Sequence, residues 1–316
     1  MTDTVDLLVR QMRIESSGVL SLRLEHPRGE ALDRWTPGAH LDLHLGGGLV
    51  RQYSLCGDPD DKAGYRVAIL REPDGRGGSR RVHDTLRPGD TVPVSLPRNN
   101  FELLPSPRYV FVAGGIGITP ILAMIVEAQR AGADWELHYG GRSRATMAFL
   151  DELAPHEGRV HVVTEDTDGL LDLPSILGTA RPGTLVYACG PEGLLTAVES
   201  YAGTWPDGAI RLERFKAKER PAAEGDGDQP ITVVCEQSGV SATVDPDRTI
   251  LETLEEAGVD VPNSCREGIC GTCETRVLCG TPDHRDSLLT TAERESGATI
   301  MICVSRARSA ELVLDI

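Results

Sequence analysis

The chain has 316 residues, enough for two or three domains, and its 48 acidic against 32 basic side chains give a formal net charge of −16. An acidic chain of this kind repels nucleic acid and anionic membrane surfaces, which excludes both as binding partners. The start MTDTVDLLVRQ has no secretory apolar region and no apolar stretch is long enough to span a bilayer, so we expect a cytoplasmic protein.

Short segments of alternating apolar and polar residues follow one another up to about Leu104. They are separated by turn residues and read VLSLRLEH, HLDLHLG, VRQYSLCG, YRVAILRE and TVPVSLPR. Alternation with a period of two is typical of strands that bury one face. The sequence therefore predicts an antiparallel β-barrel over residues 1–104.

Two segments of this barrel carry side chains that suit a planar, negatively charged cofactor. One is the strand RQYSL, which begins at Arg51, and the other is the loop GRGGS, which ends at Ser79 and leads into the short helix RRVHDTL. Together they offer an aromatic wall, a cation and the N–H groups of a helix start. Taken alone, each segment equally fits an ordinary strand or an ordinary loop.

From Arg108 onward the pattern changes to apolar runs that alternate with helical stretches. These segments read RYVFVAGG, TPILAMIVEAQRAG, WELHYGG, RATMAFLDEL, VHVVTED, TLVYACG, LLTAVESYAG and IRLERF. Alternation of strands and helices is typical of a parallel sheet wound with helices. The sequence predicts such an α/β domain over residues 105–215.

The first turn of this second domain is rich in glycine. Gly114, Gly115 and Gly117 lie between a strand and a helix in GGIGITP, where backbone N–H groups at a helix start can bind a diphosphate. The alternative is that these glycines only permit close packing. A later strand ends in Cys189-Gly190-Pro191 and reaches the same edge of the sheet, which places Cys189 near a bound nicotinamide.

A polar segment separates this domain from the rest of the chain. Residues 216–230 read KAKERPAAEGDGDQP and show no apolar periodicity, which predicts a flexible linker. The remaining residues, 231–316, hold fifteen acidic side chains against seven arginines, a net charge of −8. This acidic surface either steers encounters with a basic patch on a partner protein or only keeps the chain soluble.

Four cysteines near the C-terminus have a characteristic spacing. Cys265, Cys270 and Cys273 lie in NSCREGICGTCETR and Cys303 follows in MICVSR, which is the C-x4-C-x2-C…C pattern of a plant-type [2Fe–2S] ferredoxin. A zinc site or two disulfides are the alternatives. Zinc sites usually pair two knuckles, and no second knuckle accompanies Cys303, so the spacing favours the iron–sulfur cluster.

The other four cysteines are scattered without pairing spacing, as is typical of a reducing compartment. Of these, Cys56, Cys235 and Cys279 lie in or beside strand patterns and are expected to be buried as small hydrophobic side chains.

The order of the motifs RxYSL, RGGS, GGIGITP, CGP, ERF and the plant-type cluster loop resembles that of the phthalate dioxygenase reductase family. The resemblance covers essentially the whole chain. It implies a multidomain fold with a flavin-binding β-barrel, a parallel-sheet NAD domain of the ferredoxin–NADP reductase type and a C-terminal β-grasp ferredoxin domain of the α+β class.

The same resemblance assigns individual residues. It implies catalytic roles around the nicotinamide and flavin for Thr119, Cys189 and Glu213. The residues that it implies for flavin and nucleotide binding are Arg51, Tyr53, Ser54, Gly77, Gly78, Ser79, Gly114, Gly115, Gly117, Thr119, Gly190, Pro191 and Phe215.

The cofactors follow from the resemblance and from electron counting. NADH gives up two electrons at once and a [2Fe–2S] cluster accepts one, so a flavin must stand between them. The RGGS loop is the phosphate-binding form of the family's FMN members, which favours FMN over FAD. NADH is favoured over NADPH, although Arg142 and Arg144 follow the second strand of the domain, where a cation could meet a 2′-phosphate.

The family resemblance also implies what the protein does. We expect a monomeric NADH-dependent reductase that feeds electrons to a separate terminal oxygenase, either a Rieske non-haem iron enzyme or a cytochrome P450. A flavin and iron–sulfur redox sensor without turnover is the alternative. The complete order of motifs from GGIGITP through CGP to ERF favours the enzyme.

Overall fold

The structure is a computed structural model that describes residues 4–217 and 228–316. The chain divides into two units, of which the first ends at Arg214 and the second begins at Phe215. Most of the predicted linker, residues 216–230, lies outside the described residues. The first unit holds both the predicted barrel and the predicted nucleotide domain, and the predicted boundaries at 104, 215 and 231 stay predictions.

The first sheet is antiparallel throughout and has the strand order β4-β3-β6-β1-β2-β5, with β7 paired to β3. Its elements are β1 (Thr4–Ser16), β2 (Val19–Glu25), β3 (Ala39–His44), β4 (Val50–Ser54), β5 (Gly64–Leu70), α1 (Gly78–Thr85), β6 (Thr91–Ser95) and β7 (Arg98–Asn99). An antiparallel bridge between Leu55 and Val67 joins the two ends of this order. The predicted antiparallel barrel is therefore confirmed.

Alternating side chains build the core of the barrel. Leu41 and Leu43 on β3 and Val67 and Ile69 on β5 are completely buried, as the period of two requires. Val82 of α1 is also completely buried against this core, which fixes the short helix over one side of the barrel. Burying each such side chain contributes roughly 1.5–3 kcal/mol to folding.

The second sheet of the first unit is parallel and has the strand order β10-β9-β8-β11-β12. Its elements are β8 (Arg108–Gly114), α2 (Ile118–Arg130), β9 (Asp134–Gly141), α3 (Leu150–Leu153), β10 (Val160–Thr164), α4 (Leu173–Leu177), β11 (Thr184–Cys189), α5 (Glu192–Glu199) and β12 (Ile210–Glu213). The strand order reverses between β8 and β11, and ligands of such open sheets bind beyond the carboxyl ends of the strands at this point.

Strand β8 is buried on both faces, as a central parallel strand requires. Val110 and Val112 face α4 and α5, while Tyr109 and Phe111 stack with ring centroids 5.6 Å apart on the other face. Tyr187 of β11 packs against both rings. This core holds the turns at the ends of β8 and β11 in fixed positions.

The second unit contains a five-stranded mixed sheet with the order β14-β13-β19-β15-β17 and a two-stranded ribbon of β16 and β18. Its elements are β13 (Ile231–Cys235), β14 (Ser241–Val244), α6 (Ile250–Glu256), β15 (Glu274–Cys279), β16 (Pro282–Asp283), α7 (Thr291–Ser296), β17 (Thr299–Met301), β18 (Arg306–Ala307) and β19 (Glu311–Leu314). Thr249 and Glu252 cap the start of α6 reciprocally, and Leu251 and Leu254 pack into the core. A helix packed on a mixed sheet fits the predicted ferredoxin domain.

One burial prediction is wrong. Cys56 and Cys235 are buried, as expected, but Cys279 is exposed. The pairing of β15 with β19 shifts register between Val277 and Cys279, and the strand ends there before Gly280, whose φ is +101°. This irregularity turns the Cys279 side chain away from the core.

Within the described ranges, none of the helices combines the length and the apolar character that crossing a membrane requires.

Candidate cofactor sites

The four predicted cluster ligands converge in the second unit. Cys265, Cys270 and Cys273 lie in the loop between α6 and β15, and Cys303 follows β17. The Cys265 thiol contacts those of Cys270 and Cys303, and the Cys273 thiol contacts that of Cys303. These contacts lower the pKa of Cys265 to about 2 and also lower that of Cys273, while they raise the pKa values of Cys270 and Cys303.

Three residues of the loop that carries Cys265, Cys270 and Cys273 have a positive φ, which is typical of tight turns. Arg266, Gly268 and Gly271 have φ values of +56°, +69° and +72°. A Cβ at Gly268 would lie 2.5 Å from Cγ2 of Val304 and 3.0 Å from the Cα of Asp286, so no larger residue fits there. The close approach holds the cysteine loop against the turn that carries Cys303.

Donors surround the sulfur atoms. The backbone N–H of Glu267 donates to Sγ of Cys265 at 3.3 Å, and the backbone of Ile269 makes a second bond to the same thiol. The Thr272 hydroxyl lies 3.2 Å from Sγ of Cys270. Four cysteines with backbone donors aimed at their sulfurs fit a [2Fe–2S] cluster, whose potential depends on such hydrogen bonds.

Sequence reasoning missed the group that supports this loop from below. The buried carboxylate of Asp286 accepts the N–H groups of Leu288 and Leu289 at 3.0 and 2.7 Å and pairs with Arg294 at 3.1 Å. The next residue, Ser287, donates its N–H to the carbonyl of Gly268 at 2.9 Å. No motif spacing marks Asp286, because its partners come from the turn and the helix that follow it.

The predicted flavin residues come together on β4 and at the start of α1. The side chain of Arg51 lies against Gly78. A Cβ at Gly78 would be only 2.4 Å from Cγ of Arg51. Its guanidinium donates to the carbonyls of Val50 and Arg76 at 2.7 and 2.9 Å, which ties the GRGGS loop to the strand. Gly77 precedes the helix with φ of +86°, a conformation that suits glycine.

This helix start fits a phosphate. The first turn of α1 has no acidic residue and no side-chain cap, and the Arg51 cation lies beside it. Ser79 accepts a hydrogen bond from the N–H of Glu72 at 3.0 Å. Ser54 is buried at the end of β4, while Tyr53 is half-buried and its pKa is raised to about 12 by burial. The wall, cation and N–H groups expected from the sequence are therefore adjacent, and they fit a flavin phosphate.

The glycines of the nucleotide turn serve close packing. A Cβ at Gly117 would lie 2.2 Å from the carbonyl oxygen of Cys189, and one at Gly114 would lie 2.6 Å from Cδ of Pro191. A Cβ at Gly190 would lie 3.0 Å from the Cα of Gly114. The packing alternative explains these three glycines, and the packing brings the two turns together at the switch point.

Gly115 differs from its neighbours. Its φ is +53° and nothing lies within 4 Å of where its Cβ would stand. It therefore serves the turn rather than the packing. The following helix carries Thr119, which is buried and donates its hydroxyl to the carbonyl of Ile116 at 3.0 Å.

The buried Cys189 and the half-buried Glu213 form a pair at the carboxyl edge of this sheet. They are register partners on β11 and β12, and Sγ of Cys189 lies 3.9 Å from Oε2 of Glu213. Burial raises the pKa of Glu213 to about 8, and burial together with the Glu213 charge raises that of Cys189 well above its ordinary value. Both groups are therefore largely protonated at neutral pH.

The roles of Phe215, Arg142 and Arg144 remain predictions. Phe215 is the first residue of the second unit, and its predicted place beside the flavin stays a prediction. Arg142 and Arg144 are both exposed, and the N–H of Asp166 bonds to the carbonyl of Arg142 at 3.2 Å. Acidic residues Glu165, Asp166 and Asp168 thus follow β10 next to this turn.

Comparison with known proteins agrees with this arrangement. The family described as "2Fe-2S iron-sulfur cluster binding domain" matches residues 233–308. The chain is 42% identical to the phenoxybenzoate dioxygenase subunit beta of Ectopseudomonas oleovorans over 99% of this chain and 97% of that protein.

Two solved structures cover 99% of the chain. One is a phthalate dioxygenase reductase described as a modular structure for electron transfer from pyridine nucleotides to [2Fe–2S]. It is 38% identical, with a TM-score of 0.73 and 98% of its own chain covered. The other is an intact type IV self-sufficient cytochrome P450 monooxygenase, 42% identical with a TM-score of 0.92, of which this chain spans only 41%. The full-length likeness shows that the chain belongs to the phthalate dioxygenase reductase family.

Proposed function

We propose that this protein is an NADH-dependent reductase that uses FMN and a [2Fe–2S] cluster to supply single electrons to a terminal oxygenase. The observation that carries the proposal is the convergence of four cysteine sulfurs in the same chain as a parallel sheet with a nucleotide-type switch point. When bound, the flavin accepts electron pairs and releases single electrons, and the cluster carries one electron at a time.

The residues at the switch point position the nicotinamide ring. Gly114 and Gly117 bring the turn after β8 against the turn after β11, so the start of α2 and the backbone of Cys189 form one border of the proposed nucleotide site. Thr119 is locked by its bond to Ile116 and gives this border a fixed shape. Fixed walls of this kind hold the reacting carbon of a bound nucleotide in one orientation.

Cys189 and Glu213 keep this border neutral. The Glu213 carboxyl holds a proton at physiological pH because burial raises its pKa, and its Oε2 atom faces the Cys189 thiol. A neutral border avoids a fixed negative charge beside a cofactor that changes its charge during the reaction. Glu213 also stores a proton that it can release when the local charge changes.

The cysteine loop controls access to the cluster. Cys270, Cys273 and Cys303 are almost fully buried, whereas Cys265 is only half-buried. The backbone donors of Glu267 and Ile269 to Cys265 stabilise negative charge on the sulfurs, which favours the reduced state. Electrons are expected to leave on the side of Cys265, because that ligand is the most exposed.

The partner is proposed to be a separate terminal oxygenase, of the Rieske or the cytochrome P450 type. Support comes from two relatives, one named as a dioxygenase subunit and one a P450 monooxygenase of which a similar segment is part. The substrate is set by that partner. We further propose a cytoplasmic monomer, in keeping with eight cysteines that form no disulfide.

The test uses the purified full chain loaded with FMN, iron and sulfide. NADH should reduce the flavin and then drive continuous reduction of cytochrome c. NADPH should be much less effective. A protein that accepts electrons from NADH once and then reduces cytochrome c only slowly would be a redox sensor, and the reductase function would be refuted.

A further inference from the structure

Three metal-ligating side chains gather on the nucleotide domain, away from the cofactor residues described above. Glu136 and His138 lie two residues apart on β9 and so point to the same face, and His161 of β10 is the register partner of His138. One ligand atom from each lies within 4.8 Å of the other two. The two imidazole rings stack with centroids 4.8 Å apart and an angle of 19° between their planes.

One of these ligand atoms is buried without a partner. Nε2 of His138 is shielded from solvent and makes no hydrogen bond, since the nearest oxygen of Glu136 is 3.6 Å away. Leaving a buried polar atom unsatisfied destabilises the fold, because the atom has lost its hydrogen bonds to water. A ligand that accepts the lone pair of this nitrogen would remove that destabilisation.

We propose that Glu136, His138 and His161 form a binding site for a divalent transition-metal ion of the Zn²⁺ or Ni²⁺ class. Two imidazoles and one carboxylate are a preferred donor set for these ions. Metal–ligand distances near 2.0–2.1 Å place tetrahedral ligand atoms ~3.3 Å apart, which small side-chain rotations reach from the present spacing. The fourth position is left to water.

Arg181 is the internal competitor for this site. Its guanidinium lies 2.6 Å from Oε1 of Glu136, and about a third of its side chain is exposed. The positive charge occupies the carboxylate that the metal needs, but the side chain is free to move into solvent when a metal binds. Arg181 therefore lowers the affinity of the site for the metal.

The site links the edge of the sheet to its interior. Strand β10 is the edge strand and pairs only with β9, whereas β9 also pairs with β8, where Val112 is the register partner of His138. A metal bound by His138 and His161 ties the edge strand to the strand beside it. Binding should therefore raise the unfolding temperature of the first unit, whether or not the proposed reductase function is correct.

The experiment titrates the tag-free holoprotein with Ni²⁺ by isothermal calorimetry. Wild type should bind one ion, and His161→Gln should bind it at least ~10-fold more weakly, because removing even an outer-shell partner of a metal ligand costs ~10–100-fold in affinity. Arg181→Gln should bind more tightly than wild type because it frees Glu136. The matched control is His156→Gln in the same domain, whose ring contacts Trp135 and Gln129 instead. It should bind like wild type.

A second readout identifies the ligands directly. Bound to the oxidised protein, Cu²⁺ should give an electron paramagnetic resonance spectrum with splitting from two imidazole nitrogens, reduced to one in His161→Gln. Equal Ni²⁺ affinity in wild type and His161→Gln, or equal weakening in His156→Gln, would overturn the site. Unchanged affinity in Arg181→Gln would remove Glu136 from the ligand set.

Discussion

At the scale of single residues, burial decides how the functional side chains behave. Glu213 has the same chemistry as any surface glutamate, yet its place beside Cys189 keeps it protonated at neutral pH. The sequence motif ERF marks the position but says nothing about protonation, because the burial that raises the pKa arises only when the chain folds and β12 pairs with β11. The pKa shift makes a specific prediction about stability.

Glu213→Gln should remove a pH dependence of stability. The folded-state pKa of Glu213 is about 8 against an ordinary value of 4.5, so the unfolded chain loses this proton before the folded chain does as pH rises. Wild type therefore loses stability as pH rises from about 4.5 to 8, by ~2 kcal/mol after allowance for partial exposure, and the variant does not. Urea unfolding of the first unit at pH 6 and pH 8.5 measures this, since all three tryptophans lie there.

The exposed Glu157→Gln provides the control for that measurement. It should follow the wild-type pH dependence. If Glu213→Gln and wild type lost the same stability between the two pH values, Glu213 would already be ionised in the folded protein.

Cys270→Ser should remove the cluster and leave the flavin chemistry intact. A serine oxygen is a harder ligand than thiolate and does not reproduce iron–sulfur bonding. We expect loss of bound iron and of the visible absorption of the cluster, while NADH still reduces the flavin and ferricyanide still accepts its electrons.

Cys279→Ser is the matched control, because Cys279 lies in the same unit but is exposed and is not among the four cysteines that converge. It should retain full iron content. A Cys270→Ser protein with normal iron and normal electron delivery would show that Cys270 is not a ligand.

At the scale of elements, the sequence predicted most strands and their order along the chain. Five barrel strands and the alternation of the parallel domain follow the expected periods. The exception is β1, whose thirteen residues carry register shifts after Val9 and after Ile14. Such bulges break the period of two, so its pattern did not read as a strand.

Short helices were predicted less accurately than the strands. RATMAFLDEL was predicted as a helical stretch, but its α-helix is only Leu150–Leu153. Helix α4 has five residues and starts at a proline, too short for a 3.6-residue period to show. The site residues were found by motif, whereas a supporting residue such as Asp286 is held by tertiary contacts that no local pattern records.

The glycines of the nucleotide turn differ in how strictly they are required. Gly117→Ala would force a Cβ to 2.2 Å from the Cys189 carbonyl, a backbone atom that cannot move aside, and should cost ~3 kcal/mol. Gly115→Ala meets open space and only its positive φ, which costs ~1 kcal/mol. The unfolding temperature should therefore fall about three times as far for Gly117→Ala as for Gly115→Ala. The NADH affinity of Gly117→Ala should fall as well. Equal shifts would contradict the close packing of the two turns.

A half-buried ion pair joins β5 to α3 within the first unit. Arg66 makes two bonds to Glu152, at 2.6 and 3.0 Å, and lies 5.2 Å from the centre of the Phe149 ring. Arg66→Lys keeps the charge but loses the paired geometry, and should cost ~1–2 kcal/mol.

The control for that variant is Arg71→Lys, which alters the more exposed pair with Asp84. Exposed pairs contribute little, so this change should stay within ~0.5 kcal/mol in the same urea unfolding experiment. Equal losses for the two variants would mean that burial does not strengthen the Arg66 pair.

At the scale of the whole molecule, charge is concentrated in the second unit. Half of the net charge of −16 belongs to residues 231–316. Three acidic residues lie in the cysteine loop or in the strands that follow it, namely Glu267, Glu274 and Asp283. The surroundings of these residues differ. Asp283 is paired with Arg285 at 2.7 Å and Arg308 at 3.5 Å, whereas Glu274 is exposed. An internally paired carboxylate contributes less to the external field, so the exposed Glu274 is a better candidate than Asp283.

The rate of electron delivery to a basic acceptor should therefore depend on salt, because the acidic residues near the cluster attract that acceptor. The Debye length falls from ~10 Å at 0.1 M to ~3 Å at 1 M salt, so cytochrome c reduction should slow with salt more than flavin reduction by NADH does. The double variant Glu267→Lys, Glu274→Lys should flatten that dependence and slow delivery at low salt. Reversal of two exposed acidic residues of the first unit, Glu157→Lys and Asp207→Lys, changes the net charge equally and should leave a steeper salt dependence. If both double variants behaved alike, net charge rather than the surface near the cluster would govern the encounter.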